Sequence, residues 1–157
     1  MTAAVDVVDD TGLVGDRGIV KRLVEAVLAA QGFQGEVAVV FVGESTITDL
    51  NRRYRESATP TDVLSFVYTS EEAWPGDAGA GGVAGEIVVC PQVVLRYAAE
   101  EGREPAGQLG WTLVHGALHV AGYDHETDRG EMREREQQLL EQKEGLVRLL
   151  SLSGQRG

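Results

Sequence analysis

Short β-branched segments alternate with amphipathic helical patterns along the chain, and this alternation constrains the fold more than any other feature. The apolar series 20, 23, 24, 27 and 28 follows one face of a helix, whereas the segment 36–42 is largely β-branched, as in a buried strand. The predicted strands span 3–8, 36–42, 63–68 and 87–89, and the predicted helices span about 20–31, 44–55, 91–101, 104–121 and 128–150. This order predicts an α/β or α+β fold in which about five helices cover a single sheet of about four strands.

Length and charge limit the classes of protein to which the chain can belong. A chain of 157 residues with a single cysteine, Cys90, is expected to form one domain over residues 1–157 whose core needs no disulfide or structural metal. No apolar run is long enough to span a membrane and no secretory signal is readable, so a cytoplasmic protein with no membrane partner is expected. The net charge of -11 opposes RNA binding unless a local cationic patch, a metal or a partner recruits the RNA.

The histidines form the feature most indicative of chemistry, because all three lie within eleven residues, at His115, His119 and His125. The first two are four residues apart in a predicted helix, so their rings share one face and can bind one metal ion. Gly122 can adopt a left-handed conformation that ends the helix and returns His125 to the same point. Three imidazoles and a water are a catalytic zinc arrangement, so the sequence predicts one Zn²⁺ per chain, at the helix and its C-terminal turn, and a hydrolase.

Other interpretations of the same residues stay open at this point. Ordinary core or surface histidines are the alternative to a metal site, and nickel, copper and iron are alternative metals. The spacing also matches the metzincin proteases, but Gly116 stands where those enzymes carry the glutamate that acts as general base. Peptide hydrolysis by that mechanism is therefore disfavoured.

The helix that carries the histidines has a polar stripe and two small residues. The stripe consists of Gln108, Thr112, His115 and His119, and it predicts one solvent-facing side on an otherwise buried helix. The small residues at 116 and 117 predict that another element packs closely against this turn.

The segment 115–125 resembles the signature of the YbeY family of bacterial rRNA maturation endoribonucleases, His-Gly-x-Leu-His-x-x-Gly-Tyr-Asp-His, at every fixed position. Similar segments are 50–55 (LNRRYR), 59–66 (TPTDVLSF), 85–89 (GEIVV) and 131–136 (EMRERE). Two positions depart from the family pattern, because Val67 stands where proline is common and Glu86 where aspartate is common. These departures bear on the shape of the cleft wall and leave the histidines untouched.

The resemblance implies a mixed sheet packed with helices, zinc bound by His115, His119 and His125, and cleavage of single-stranded RNA in maturation of the 16S rRNA 3′ end and in ribosome quality control. It also implies that Arg55 lies in the cleft, faces the metal and holds a phosphate, which a guanidinium can do with two parallel hydrogen bonds. Without the resemblance, Arg55 is interpreted as a cation at a helix end.

The partners that the resemblance implies are single-stranded RNA, the small ribosomal subunit and its assembly factors, and no DNA is expected. Two alternatives to a zinc-dependent endoribonuclease remain. One is a metal-dependent hydrolase of a peptide or small molecule, and the other is a ribosome-assembly factor with structural zinc.

Overall fold

The computed structural model describes residues 3–68, 84–123 and 128–153. The elements of these residues are β1 (Ala3–Asp9), α1 (Arg17–Ala30), β2 (Gly35–Phe41), α2 (Glu44–Arg55), β3 (Val63–Val67), β4 (Gly85–Val89), α3 (Pro91–Glu101), α4 (Pro105–Val120), α5 (Glu131–Gln142) and α6 (Glu144–Leu149). The predicted α/β class is therefore confirmed. No helix within these residues is long and apolar enough to cross a membrane.

The four strands form one mixed sheet in the order β1-β2-β4-β3. The strands β1, β2 and β4 are parallel, and β3 pairs with β4 in the antiparallel direction. Ile87 of β4 lies opposite Val39 on one side and Ser65 on the other. The mixed sheet implied by the family resemblance is confirmed, and β3 lies at one edge of the sheet that the described residues form.

Alternate residues of the strands face two hydrophobic clusters on opposite sides of the sheet, as the period of a strand requires. Val39 and Ile87 belong to the larger cluster, which also contains the apolar faces of α1 and α4. Leu64 and Val88 belong to the smaller cluster, which contains Ile47 of α2. The helices α2 and α4 therefore cover opposite faces of the sheet.

The helix α4 is the most buried helix and lies against the sheet at a glycine. A Cβ atom at Gly116 would lie 2.8 Å from Ile87 Cγ2, and one at Gly110 would lie 2.8 Å from Val147 Cγ1 of α6. Neither position can take a side chain unless its neighbour moves. The predicted close packing at residue 116 is confirmed.

The polar stripe predicted on α4 is only half correct. Gln108 and Thr112 are buried, and the Thr112 hydroxyl donates to the Gln108 carbonyl at 2.9 Å. His115 and His119 are partly exposed. The prediction of a solvent-facing side is wrong for the first half of the stripe, because α3 and α5 pack beside α4.

The prediction of one last helix over 128–150 is wrong about where the helix begins and about its being continuous. It begins at Glu131, although Asp128 still accepts a hydrogen bond from the Met132 amide at 2.9 Å. The helix breaks at Lys143, and the change of direction lets Val147 of α6 pack against Gly110. Leu149, near the end of this predicted helix, is 57% exposed.

Candidate metal and phosphate site

His115 and His119 lie one turn apart on the same face of α4, as their spacing predicts. Their ring centroids are 4.7 Å apart and the ring planes are inclined at 81°. Trp111, one turn earlier, stacks on the His115 ring with centroids 4.7 Å apart and an interplanar angle of 21°. The His115 ring is thus held between two other rings.

The helix α4 ends in a Schellman motif beside the histidines. The Gly122 amide donates to the His119 carbonyl at 3.1 Å, and the Tyr123 amide donates to the Leu118 carbonyl at 3.0 Å. Gly122 has a φ of 120°, a conformation that residues with a side chain rarely adopt. The prediction that Gly122 ends the helix is confirmed. His125 and its neighbour Asp124 lie outside the described residues.

Each of the two described histidines has its Nδ1 atom in a hydrogen bond. His115 Nδ1 lies 2.5 Å from Glu136 Oε2 on α5, and His119 Nδ1 lies 3.0 Å from the Tyr123 carbonyl oxygen. A carbonyl oxygen only accepts, so His119 Nδ1 carries the proton, and a carboxylate imposes the same tautomer on His115. Nε2 of each ring then carries the lone pair that a metal takes, with outer partners of the kind typical of metal-binding histidines.

This donor set suits zinc, because neutral imidazoles with fixed tautomers are zinc ligands. Within 3–68, 84–123 and 128–153, however, no three metal-ligating side chains form a cluster. The described part of the chain supplies two of the three predicted ligands.

Arg55 reaches the same cleft from the opposite face of the sheet. It is the last residue of α2, and its Nη2 donates to the Ser65 carbonyl of the edge strand β3 at 3.2 Å. The Ser65 hydroxyl in turn donates to the Gly116 carbonyl of α4 at 3.1 Å. This chain of contacts connects α2, β3 and α4.

The cleft between these elements has a volume of about 490 Å³, and we call it the Arg55 cleft. Its described lining consists of Asn51, Arg55, Val63, Leu64, Ser65, Val67, His115 and His119. The structure thus brings together every predicted site residue that it describes. The lining holds no carboxylate among the described residues, so an anion meets a guanidinium and two imidazoles there.

The two positions that depart from the family pattern, 67 and 86, have different surroundings. Val67 lines the Arg55 cleft and is 50% exposed. Glu86 accepts a hydrogen bond from the Tyr68 hydroxyl at 3.0 Å. Burial and Glu86 together raise the pKa of Tyr68, so this hydroxyl stays a donor at neutral pH.

Sequence reasoning missed Glu136 as a residue of the site. Glu136 is 5% exposed, four residues after the buried Met132 and three before the buried Leu139. A glutamate on the apolar face of a helix was the available signal. It also missed Asp62, which lines a cleft together with His115 and whose burial raises the pKa of its carboxyl group.

The fold and this cleft define an α/β protein in which a pair of histidines shares a cleft with an arginine. Comparison with known proteins narrows this class. The family model described as Endoribonuclease YbeY matches residues 15–144, so the chain belongs to this family.

Similar relatives span most of the chain. An Endoribonuclease YbeY of Halorhodospira halophila is 44% identical over 107 residues, which is 68% of each chain. One of Chloroflexus aurantiacus is 36% identical over 146 residues, covering 89% of this chain and 95% of the relative. A solution structure of a Thermotoga maritima protein matches with a TM-score of 0.62 at 29% identity, covering 92% of this chain and 91% of that one.

Proposed function

We propose that the chain is a single-domain, zinc-dependent endoribonuclease specific for single-stranded RNA. Its substrate would be rRNA, at the 3′ end of 16S rRNA, during ribosome maturation and quality control in the cytoplasm. The family membership supports the reaction class, and the small ribosomal subunit and its assembly factors are the proposed partners. The observation that carries the proposal is that Arg55 shares one cleft with His115 and His119.

His115, His119 and His125 would hold one zinc ion per chain. When bound, zinc would supply a Lewis acid close to the scissile phosphate. The Glu136 carboxylate and the Tyr123 carbonyl keep the two described rings oriented and in the tautomer that binds metal.

Arg55 would bind the phosphate of the substrate. The Ser65 carbonyl accepts a hydrogen bond from one N–H group of Arg55. A guanidinium has five N–H groups, so donors remain for phosphate oxygens. Such donors are worth most where negative charge develops in the transition state, because they are already oriented. This local recruitment answers the objection raised by the acidic net charge.

The peptide-hydrolase alternative has a steric argument against it. A metzincin-type mechanism needs glutamate at position 116, where even a Cβ would lie 2.8 Å from Ile87. The structural-zinc alternative predicts normal zinc content without RNA cleavage.

The test is cleavage of a single-stranded RNA by the zinc-loaded protein, with an RNA duplex and single-stranded DNA of the same sequence as controls. We expect cleavage of the single-stranded RNA alone, and its loss in the His119→Ala variant. Zinc-loaded wild-type protein that leaves the RNA intact would refute the proposal and favour the assembly-factor alternative.

A further inference from the structure

A second and larger cleft also uses His115. It lies between α3, α4 and α5, has a volume of about 880 Å³, and we call it the Gln108 cleft. His115 lines both clefts, so the Gln108 cleft and the Arg55 cleft adjoin at this residue.

Three polar side chains that line the Gln108 cleft are more than nine-tenths buried. Gln108 is 4% exposed, Glu136 is 5% exposed and Asp62 is 9% exposed. Glu136 is engaged by His115, but Gln108 Oε1 has no hydrogen-bond partner among the described residues. A buried amide oxygen without a partner costs free energy that a bound N–H donor would recover. Rotation about the terminal side-chain torsion, which is soft in glutamine, can turn this oxygen to the cleft.

The charges of the two clefts differ in sign. Five carboxylate side chains and two guanidinium groups line the Gln108 cleft, whereas the Arg55 cleft has a guanidinium and, among its described residues, no carboxylate. The excess of carboxylates therefore disfavours a phosphate in the Gln108 cleft, whereas the guanidinium favours one in the Arg55 cleft. The Gln108 cleft suits an uncharged group that donates hydrogen bonds.

Aromatic side chains make the Gln108 cleft suitable for a flat ring. Trp111 of α4 and Tyr97 of α3 line the Gln108 cleft. Flat ligands stack on such surfaces, and unpaired RNA bases are held by stacking together with hydrogen bonds to their edges.

We propose that the Gln108 cleft binds the nucleobase next to the scissile phosphate and selects guanine. The proposal rests on the proposed function and adds a base preference to it. Guanine has two neighbouring donors, N1–H and the N2 amino group, which meet the acceptors of Asp62 and Gln108. Uracil has one donor between two carbonyl oxygens, which would face these acceptors and be repelled.

The first test measures binding without phosphate and without catalysis. The chain has two tryptophans, so a Trp74→Phe protein leaves Trp111 as its sole tryptophan, and guanosine or uridine is titrated while its fluorescence is recorded. We expect guanosine to quench Trp111 and to bind at least about tenfold more tightly than uridine, as for a site built to hydrogen-bond its ligand.

A matched pair of variants assigns this binding to the buried amide. Gln108→Leu should weaken guanosine binding about tenfold, whereas Gln92→Leu, the same change at an exposed position of α3 that does not line the cleft, should leave it within twofold. Thermal unfolding of each variant verifies the fold. Equal binding of the two nucleosides, no quenching by guanosine, or unchanged guanosine binding in a folded Gln108→Leu protein would each overturn the proposal.

The second test uses the zinc-loaded protein and an oligouridine with a single guanosine. We expect cleavage next to the guanosine to be at least about tenfold faster than elsewhere, and Gln108→Leu to reduce this ratio. Cleavage at equal rates along the strand would overturn the base preference and leave the proposed function intact. Guanosine binding without cleavage of any RNA would instead overturn the proposed function, and with it the placement of the base beside a scissile phosphate.

Discussion

The two walls of the Arg55 cleft are built in different ways. On the α4 wall, His115 and His119 are each oriented by a hydrogen bond at Nδ1, and Trp111 stacks on the His115 ring. On the α2 wall, Arg55 lies at the exposed end of its helix and contacts the edge strand through the Ser65 carbonyl. The imidazoles are therefore oriented by the packing of the domain, whereas the guanidinium keeps freedom to adjust.

This difference suits the two proposed tasks. Metal affinity depends on ligands held in one geometry before the metal arrives, so outer partners such as Glu136 matter. A polymeric substrate arrives with its own geometry, and a long side chain at an exposed helix end can follow it. Changes on the α4 wall should thus alter metal content, and changes on the α2 wall should alter only the reaction of the substrate.

The largest effect is expected for His119→Ala on the α4 wall. Loss of an outer partner already costs about 10- to 100-fold in metal affinity, so loss of a ligand should cost more than about 100-fold. Zinc content measured by elemental analysis should fall below a tenth of one equivalent, and RNA cleavage should disappear. Among the described residues the variant loses one hydrogen bond, from a partly exposed ring, so the melting temperature of metal-free protein should fall by only about 2–4 °C. Full zinc content in the variant would disprove the site.

The next largest effect is expected for Arg55→Glu on the α2 wall. Replacing a phosphate donor with a repelling charge should reduce cleavage about 100-fold or more, the range seen when one oriented donor is removed. Zinc content and the melting temperature should stay near wild type, because the Arg55 side chain is exposed. Arg55→Lys should be partly active, since it keeps the charge and loses the planar fork.

The matched control for Arg55 is Arg53→Glu, which makes the same change two residues earlier, where the arginine pairs with Asp49. It should cleave within a few-fold of wild type. If Arg55→Glu lost zinc or unfolded, the α2 wall would also support the metal site or the fold, and the separation of roles between the two walls would be wrong.

A smaller effect is expected for Glu136→Gln. The amide oxygen can still accept from His115 Nδ1, but the negative charge is lost, so zinc affinity should fall about tenfold, and Glu136→Ala should lose more. Competition with a chelating dye measures this affinity. Glu134→Gln, an exposed change on the same helix, is the control and should bind zinc as wild type does. If all these proteins bound zinc with equal affinity, Glu136 would have a role in packing alone.

Glu136 also shows which parts of the site a sequence can predict. Features set by residues close in the chain were predicted correctly, such as the shared face of His115 and His119 and the turn at Gly122. Glu136 approaches His115 only because α5 packs beside α4, and nothing in the local pattern fixes that pairing. For the same reason Gln108 was expected to face solvent although neighbouring helices bury it.

The secondary structure divides in the same way, into features that the local sequence sets and features that tertiary contacts set. The class, the strands and the first four helices follow from local periodicity, which each segment carries by itself. The break at Lys143 and the exposure of Leu149 depend on how α6 packs against Gly110, which is a tertiary contact.

The smallest effect is expected for the arginines that precede Arg55, and it tests how an acidic protein recruits RNA. Arg52 and Arg53 share one carboxylate, Asp49, so half of their combined charge is balanced locally, whereas Arg55 reaches the cleft. We expect the Arg52→Ala/Arg53→Ala protein to bind single-stranded RNA within about threefold of wild type, since exposed pairs of this kind contribute little. Arg55→Ala should weaken binding further and reduce the salt slope of log Kd by about 0.7, the value for one phosphate contact with a single strand. Titrations at several salt concentrations measure both quantities. A larger loss of slope in the double variant than in Arg55→Ala would show that RNA is recruited along the whole end of α2, and the α2 wall would then be an extended basic surface instead of a single phosphate contact.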